Sequence, residues 1–180
     1  DNFGQEEGPE NMIPGKDGVL IVSDTHNSRI QKIDKDGKYL GGFGVDRPGA
    51  IAEDAEGNIY AVVPHKGKIV KYTPSGDVIF EFGKIGEGDG EFTVLNLEGL
   101  TLGPKGIAAD PKDGLIYVAD SEANRIQVFD EEGKFVKIIG GFAGADQEGF
   151  YHPSGLTFDE NGFLWVADTG NHRVIRLDIR

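Results

Sequence analysis

The sequence contains no cysteine, and this absence removes several kinds of chemistry at once. Disulfide bridges, zinc sites built on thiolates and cysteine nucleophiles are all excluded. No stretch approaches the roughly 20 apolar residues that span a bilayer, so we expect no membrane insertion. Basic residues are scarce as well, because 18 Lys and Arg stand against 31 Asp and Glu, for a net charge of −13. Without a cluster of Lys and Arg to offset that charge, nucleic acid and anionic membranes are poor partners.

Glycine, in contrast, is abundant. The chain has 28 Gly among its 180 residues, whereas a typical share of roughly 7% would give about 13. These glycines and the prolines are spread along the chain, which indicates many tight turns. The length suits one domain. Because the chain begins at Asp1 rather than Met, we expect a processed or excised segment that has lost any upstream signal, with an extracytoplasmic location preferred over others.

Four copies of one pattern run along the chain. Each copy has a Gly before an apolar run, an acidic position six residues later and a basic position five residues after that. The glycines are Gly18, Gly57, Gly114 and Gly162; the acidic positions hold Asp24, Val63, Asp120 and Asp168; the basic positions hold Arg29, Lys68, Arg125 and Arg173; and the opening prolines are Pro9, Pro48, Pro104 and Pro153. Internal spacing that is kept in four copies predicts a repeat architecture.

Each copy has the pattern of four short antiparallel strands joined by tight turns, as in the alternating run 125–129. One such sheet cannot bury both of its faces, so the copies must stack, and a radial stack of four-stranded sheets is a β-propeller. We therefore expect an all-β propeller. Its four visible blades cover about residues 5–44, 45–83, 103–141 and 152–180, with a long insertion at 84–103. The apolar run 92–102 is an extra strand or a partner-docking segment inside that insertion, and its β-prone composition between glycines favours the strand.

These motifs resemble the NHL repeat. The last copy, from Pro153 through the run 165–174, is similar to the repeat consensus, and the run 116–129 of the third copy is as close. The run 24–30 also matches, whereas the second copy departs from the consensus at Val63 and Lys68. The resemblance covers nearly the whole chain. It implies a propeller and says little about activity, because one architecture hosts many functions.

Propellers that resemble this family usually have six blades, and only four are visible here. An open arc would expose the apolar sides of its end blades, and such patches recruit partners. Three arrangements therefore stay open. The chain is a fragment whose missing blades complete a ring, or it self-associates with a second copy, or it closes as a small ring in which Phe3 lends a strand to the last blade.

We expect ligand recognition on the face that carries the inter-blade loops and the turns between second and third strands, because long loops on a rigid scaffold concentrate binding. The candidates on this face are His26, Asn27, His65, Lys66, Glu122, Asn124, Tyr151, His152, Asn171 and His172. The pairs Asp24–Arg29, Asp120–Arg125 and Asp168–Arg173 lie there too. A feature of three copies out of four favours a structural turn pair over catalysis.

Two groups of residues are candidate metal ligands. The four histidines could converge near the propeller axis and hold Zn²⁺. Peptidylglycine amidating lyases, which resemble this family, use histidine-bound metal, but their histidine follows the opening Pro, whereas here His152 precedes Pro153. The run 86–91 alternates acids with glycine, so Glu87, Asp89 and Glu91, together with His152, are the candidates for Ca²⁺ or Zn²⁺. Solvated turns are the favoured interpretation of both groups, and we expect no cofactor.

The sequence shows no convincing catalytic set, since Ser23 and Ser154 have no recognisable His and Asp partners. We therefore expect a non-catalytic scaffold that binds a protein, peptide or glycan. The alternative is a metal-dependent lyase or lactonase with its site near the axis. RNA binding, known from animal proteins of similar repeat type, is disfavoured by the net charge. Finally, the mid-strand position of Trp165 predicts that this side chain packs in the core.

Overall fold

The computed structural model describes residues 8–97, 100–144 and 149–180. Within these residues the chain forms short β-strands and single-turn 3-10 helices, and the strands make four antiparallel blade sheets in succession along the chain and one further two-stranded sheet. The fold is an all-β propeller with four blades, so the predicted fold class is confirmed. None of the described helices is long and apolar enough to cross a membrane.

The strands follow the repeat in chain order. Blade 1 comprises β1 (Asn11–Pro14), β2 (Leu20–Asp24), β3 (Arg29–Ile33) and β4 (Tyr39–Gly44). Blade 2 comprises β5 (Ile51–Glu53), β6 (Ile59–Val63), β7 (Lys68–Tyr72) and β8 (Val78–Phe82). Two short paired strands follow, β9 (Leu95–Leu97) and β10 (Leu100–Leu102). Blade 3 comprises β11 (Gly106–Ala109), β12 (Ile116–Asp120), β13 (Arg125–Phe129) and β14 (Phe135–Gly140). Blade 4 comprises β15 (Pro153–Phe158), β16 (Leu164–Asp168) and β17 (Arg173–Leu177).

The turn between the third and fourth strands shows how the sequence specifies a blade. In blade 1, the Asp34 carboxylate accepts hydrogen bonds from the backbone N–H groups of Asp36 (2.9 Å) and Lys38 (2.8 Å). Gly37 then takes a left-handed conformation (φ 83°) that side chains disfavour. Asp130 does the same in blade 3 with Glu132 and Lys134. The Asp-x-x-Gly spacing therefore encodes a tight, self-capped turn.

The core lies between neighbouring blades. One cluster of buried side chains, including Ile21, Ile30 and Ile51, joins blade 1 to blade 2. A second joins blade 2 to blade 3, and a third joins blade 3 to blade 4. No such cluster joins blade 4 back to blade 1 among the residues that the structure describes. Phe3, which we expected to complete the last blade, lies outside the described residues.

Trp165 lies on the side of blade 4 that no other blade covers among the described residues, and the side chain is exposed, so the prediction that it packs in the core is wrong. Its neighbours Leu164 and Val166 are fully buried against blade 3, whereas Trp165 is 37% exposed to solvent. Because successive side chains of a strand point to opposite faces of the sheet, Trp165 lies on the face of β16 opposite to that of Leu164 and Val166. The Trp165 indole instead donates a hydrogen bond to the Asp159 carboxylate (2.9 Å) in the adjacent turn.

The first strand of each blade is the innermost one. In the hydrogen-bonding order of the sheets, β1, β5, β11 and β15 each stand at one end, and residues from all four line a single cavity. The strands come very close together at Gly106, where an added Cβ would lie 1.9 Å from the Ser154 carbonyl oxygen. Glycine is therefore required there for the innermost strands of blades 3 and 4 to approach each other.

Candidate ligand-binding site

The turn between the second and third strands has the same shape in every blade. It is a single-turn 3-10 helix, at Thr25–Asn27, Pro64–Lys66, Ser121–Ala123 and Thr169–Asn171. Each turn ends at a residue in the left-handed region: Ser28, Gly67, Asn124 and His172. All four turns lie on the face that also carries the connections between blades. We call this the loop face.

In three blades an acid and an arginine pair across this turn. The Arg Nε atom lies 2.6 Å from Oδ2 of the acid in Asp24–Arg29, 2.8 Å in Asp120–Arg125 and 2.7 Å in Asp168–Arg173. In blade 2 the same position holds Lys68, which instead lies 2.5 Å from a Glu81 carboxylate oxygen on the neighbouring strand.

These pairs also hold the segment that enters the blade. Thr93 donates its backbone N–H to Asp120 (3.0 Å), and the Arg125 guanidinium donates to the carbonyls of Gly88 and Glu91 (3.0 Å each). Gln127 adds a further bond to the carbonyl of Glu91 (2.6 Å). The pair is therefore a clamp on the backbone of the inter-blade connection, which is a structural arrangement.

Blade 4 repeats the clamp, whereas the segment that enters blade 1 at the corresponding positions lies outside the described residues. Tyr151 donates its N–H to Asp168 (2.7 Å), and Arg173 donates to the carbonyl of Gly149 (2.9 Å). Within the described residues of blade 1, the Asp24 carboxylate accepts hydrogen bonds from the side chains of Asn27, Arg29 and Gln31, and Arg29 is about half exposed.

The ionisation of the three acids follows their surroundings. Burial opposes the charge of Asp24, but hydrogen bonds from Asn27 and Arg29 outweigh it, so the pKa of Asp24 is lowered. The pKa of Asp168 is also lowered, because hydrogen bonds from Tyr151 and Asn171, among others, outweigh its burial. Asp120 is buried more deeply, and burial raises its pKa in spite of Arg125.

The structure keeps the four histidines at separate acids or turns. His26 lies 3.3 Å from Glu10, His65 lies 3.2 Å from Asp46, and His152 lies 3.6 Å from Glu122. His172 occupies the left-handed end of its turn, at φ 53°. No three His, Asp or Glu side chains are grouped as metal ligands within the described part of the chain. The predicted convergence on one zinc ion therefore has no geometry to support it here.

The acidic run 86–91 folds into a closed turn. The Glu91 carboxylate lies 2.9 Å from the Lys84 amine and accepts the backbone N–H of Gly88 (3.0 Å). The hydrogen bond from Lys84 lowers the pKa of Glu91 most, and the bond from the backbone of Gly88 lowers it further. Glu87 and Asp89 lie in the same turn, and Gly90 donates its N–H to Gln127 (2.9 Å) in blade 3.

The remaining loop-face candidates mostly serve the local architecture. Lys66 lies 2.6 Å from Asp46, and Asn124 accepts the backbone N–H of His152 (2.9 Å). Asn171 donates to Asp168 (2.9 Å) and to the carbonyl of Gly144 (2.7 Å). The rings of Tyr151 and His152 contact each other in a tilted arrangement, with centroids 4.5 Å apart and an interplanar angle of 54°.

Glu122 is the exception among these candidates. Its side chain is 4% exposed, and its Oε1 atom is buried without a hydrogen-bond partner among the described residues. The other oxygen lies near Nδ1 of His152, whose backbone is held in the left-handed region (φ 47°).

A continuous cleft runs from the loop face toward the propeller axis. Its inner part is a cavity of about 310 Å³ bounded by all four innermost strands. A second cavity of about 310 Å³ shares Asn11, Ala50 and Lys105 with the first, and a smaller one of about 170 Å³ shares Glu10, Pro64 and Thr101 with the second. We call these three adjoining cavities the axial cleft.

The floor of the axial cleft is mainly apolar and its mouth is polar. Ile13, Ile51, Ile107 and Leu156 line the inner part beside Asn11, Lys105 and Ser154. Thr25, His26, Arg47 and His65 line the mouth on the loop face. Of the predicted candidates, His26 and His65 both line the cleft mouth, each beside its own acid, whereas His152 and His172 do not line the cleft.

Sequence reasoning missed Arg47 and Lys105 as site residues. Both flank an opening Pro of the repeat: Arg47 precedes Pro48 and Lys105 follows Pro104. The position after this Pro begins the innermost strand, and a side chain there lies beside the axis. The position after the opening Pro could therefore have identified Lys105 as a site residue from the sequence. However, this position holds a different residue in every copy: Glu10, Gly49, Lys105 and Ser154.

Comparison with known proteins agrees with this architecture. The family model described as NHL repeat matches residues 101–129 and 150–177. NHL repeat-containing protein 2 from Bos taurus is 32% identical over 139 residues, which cover 70% of this chain and 18% of that protein. Protein brain tumor from Drosophila melanogaster is 27% identical over 145 residues, which cover 77% of this chain and 12% of that protein. The chain thus spans less than a fifth of these relatives.

Solved structures show the same fold. The streptogramin B lyase structure superposes with a TM-score of 0.69 at 18% sequence identity, covering 96% of this chain and 52% of that chain. At this identity the likeness concerns the fold alone. The repeated blade, the two matches to the repeat model and the similarity to NHL repeat-containing protein 2 together show that the chain belongs to the NHL repeat family.

Proposed function

We propose that this chain is a non-catalytic binding module whose axial cleft receives an extended polypeptide segment of a partner protein. One observation carries the proposal: three adjoining cavities open onto the loop face and reach the innermost strands of all four blades. Binding sites are typically concave and mostly apolar, with a few polar groups that fix the orientation of the ligand. The axial cleft has this composition.

The backbone around the cleft supports a polypeptide ligand. Because β1, β5, β11 and β15 stand at the ends of their sheets, each has one edge without a strand partner in its own sheet. Extended peptides bind such edges through main-chain hydrogen bonds, and their alternate side chains enter adjacent pockets. Partly exposed apolar residues on the cleft floor, such as Ile13 and Leu156, offer contacts for those side chains.

A glycan is less well served by this lining. Sugars stack on exposed aromatic rings, and no Phe, Tyr or Trp is among the described residues that line the cleft. A metal-dependent lyase or lactonase gains no support from the separate placement of His26, His65 and His152. The polypeptide ligand is therefore the proposal that the cleft favours.

Selection of binders from a random-sequence peptide display library tests this proposal. Ser154 lines the cleft and its hydroxyl lies 2.6 Å from that of Thr169, so Ser154→Trp should fill the cleft and abolish binding of the selected peptides. Ser75 is a matched control, since its hydroxyl lies 2.8 Å from that of Thr73 in an exposed turn on the opposite face. Selected peptides that tolerate Ser154→Trp but lose binding on Ser75→Trp would contradict the proposal, as would a failure to select any peptide.

A further inference from the structure

The axial cleft contains positive side chains that have no ion-pair partner among the residues that the structure describes. Most Lys and Arg residues of the described chain contact a carboxylate, a carbonyl or an aromatic ring. Five have no such contact: Lys38, Arg47, Lys105, Lys134 and Lys137. Two of these five, Arg47 and Lys105, line the cleft, and both are exposed.

The position of Arg47 is fixed by its backbone. The backbone of Arg47 lies in the left-handed region at φ 41°, which is uncommon for residues other than Gly and Asn. Its backbone N–H donates to the Ser28 hydroxyl (3.4 Å) on the neighbouring turn. Strained conformations persist where the surrounding structure holds them, and they concentrate at binding sites. The guanidinium is therefore presented at the mouth of the cleft from a constrained backbone.

The acid that lines the cleft does not neutralise these two cations. Glu10 lies 3.3 Å from Nε2 of His26, and neither Arg47 nor Lys105 forms an ion pair with it among the described residues. At the cleft mouth, Asp46 is likewise held by Lys66 and His65. Burial of a free cation against a ligand is favourable when the ligand brings a carboxylate that can accept its hydrogen bonds.

We infer that the axial cleft selects polypeptide segments in which acidic side chains alternate with apolar ones. This inference rests on the proposed function and adds the chemistry of the ligand. Arg47 at the mouth and Lys105 deeper in the cleft receive the carboxylates, and the partly exposed Ile13 and Leu156 contact the apolar side chains. In an extended segment, successive side chains point to opposite sides, so the two kinds of contact alternate along the chain.

The net charge of −13 does not oppose this selectivity at close range. Charges beyond the Debye length of about 8 Å are largely screened at physiological ionic strength, so the groups that line the cleft dominate once a ligand is inside. The long-range field instead slows the encounter with any polyanion. RNA carries a negative charge at every nucleotide and has no apolar side chains that could contact the cleft floor. We therefore favour an acidic peptide over RNA as the ligand.

The peptides selected from the random-sequence library provide the test, with fluorescence anisotropy as the measurement. We expect them to be enriched in Asp and Glu beside apolar residues, and we expect resynthesis with Asn and Gln in place of the acids to weaken binding about tenfold or more. On the protein side, Lys105→Gln and Arg47→Gln should each weaken binding of the acidic peptide by about tenfold. Neither should change binding of the amide peptide.

Lys38→Gln and Lys134→Gln are the matched controls. Each removes one unpaired positive charge, but from a turn on the face opposite the cleft, and each should leave the affinity unchanged. All four residues are exposed, so thermal melting should report the same folded state for every variant.

The outcomes separate this inference from the proposed function. Selected peptides without an excess of acids, or acidic peptides that tolerate both cleft substitutions, would overturn the acidic selectivity and leave the cleft as a peptide site. Failure to select any peptide would overturn both. A fluorescein-labelled single-stranded oligouridine that displaces the peptide, and does so less effectively on Lys105→Gln, would show that the cleft recognises phosphate and would also overturn the inference.

Discussion

Asp120 and Arg125 lie 2.8 Å apart, from Oδ2 to Nε, and their side chains are 0% and 9% exposed. The same pair in blade 1, Asp24 and Arg29, lies 2.6 Å apart with Arg29 46% exposed. The same Asp–Arg motif of the repeat is therefore buried in blade 3 and partly exposed to solvent in blade 1. The buried copy clamps an inter-blade connection through Thr93, whereas the exposed copy bonds to the side chains of its own turn and strand within the described residues.

The two copies should respond very differently to loss of the arginine. Arg125→Met leaves a buried carboxylate unpaired and should lower the free energy of unfolding by about 3 kcal/mol or more. Arg29→Met, the internal control, should cost less than about 1 kcal/mol, because exposed ion pairs contribute little. Urea denaturation followed by circular dichroism measures both. Equal losses would show that the clamp on the connection contributes nothing beyond the pair itself.

Trp165 and Leu164 test the register of blade 4. Leu164→Ala removes a fully buried side chain between blades 3 and 4 and should cost about 2–5 kcal/mol. Trp165→Ala should cost less, although the tryptophan is the larger side chain, because it lies on the uncovered face. Trp165 is the single tryptophan, so its fluorescence reports its surroundings directly. A blue-shifted emission together with a larger loss for Trp165→Ala would indicate the opposite register.

Most of the fold was predictable because the repeat spacing is a long-range signal. The Gly, Asp and Arg positions recur at fixed intervals, and turn chemistry such as that of Asp34 and Gly37 sets the strand ends locally. The orientation of Trp165 was not predictable in the same way. Alternation states that neighbours face opposite sides, but which side a further blade covers depends on packing that a single strand does not encode.

The site was harder to predict, for a related reason. Histidines attract attention as possible metal ligands, yet His152 and His26 each lie beside a separate acid, Glu122 and Glu10. Lys105 and Arg47 carry no recognisable motif, since each occurs in one copy only. A cleft built from non-repeated residues on a repeated scaffold becomes visible only once the four innermost strands are assembled around it.

Glu122→Gln should raise the stability of the protein. The Oε1 atom of Glu122 is buried without a partner, and burying a charged group costs far more than burying a neutral amide. We expect a gain of roughly 1 kcal/mol in the free energy of unfolding. Glu132→Gln, in an exposed turn, should change it by less than about 0.5 kcal/mol. A loss on Glu122→Gln in thermal and urea denaturation would mean that the carboxylate charge holds His152 in place.

Stability should fall in acid, and Asp168 should contribute to the loss. Its pKa is lowered in the folded protein because hydrogen bonds outweigh burial, so its stabilisation is present above the unfolded value of about 3.9 and is lost as pH falls through the folded pKa. Asp168→Asn should therefore flatten the acid limb of a plot of unfolding free energy against pH. Asp120 has a raised pKa and opposes the loss, so Asp120→Asn should steepen that limb. Parallel limbs for the two variants would contradict this assignment.

The most direct measurement of binding in the axial cleft is an amide chemical-shift map of the protein, recorded by NMR with a peptide selected from the random-sequence library. Binding in the cleft predicts shifts that concentrate at Asn11, Ala50, Lys105 and Ser154, which belong to all four blades. The turn at Asp130 and Lys134, on the opposite face, should not move. Shifts centred on that turn, or on the uncovered face of blade 4 around Trp165, would show that the peptide binds elsewhere and would contradict a cleft-binding propeller.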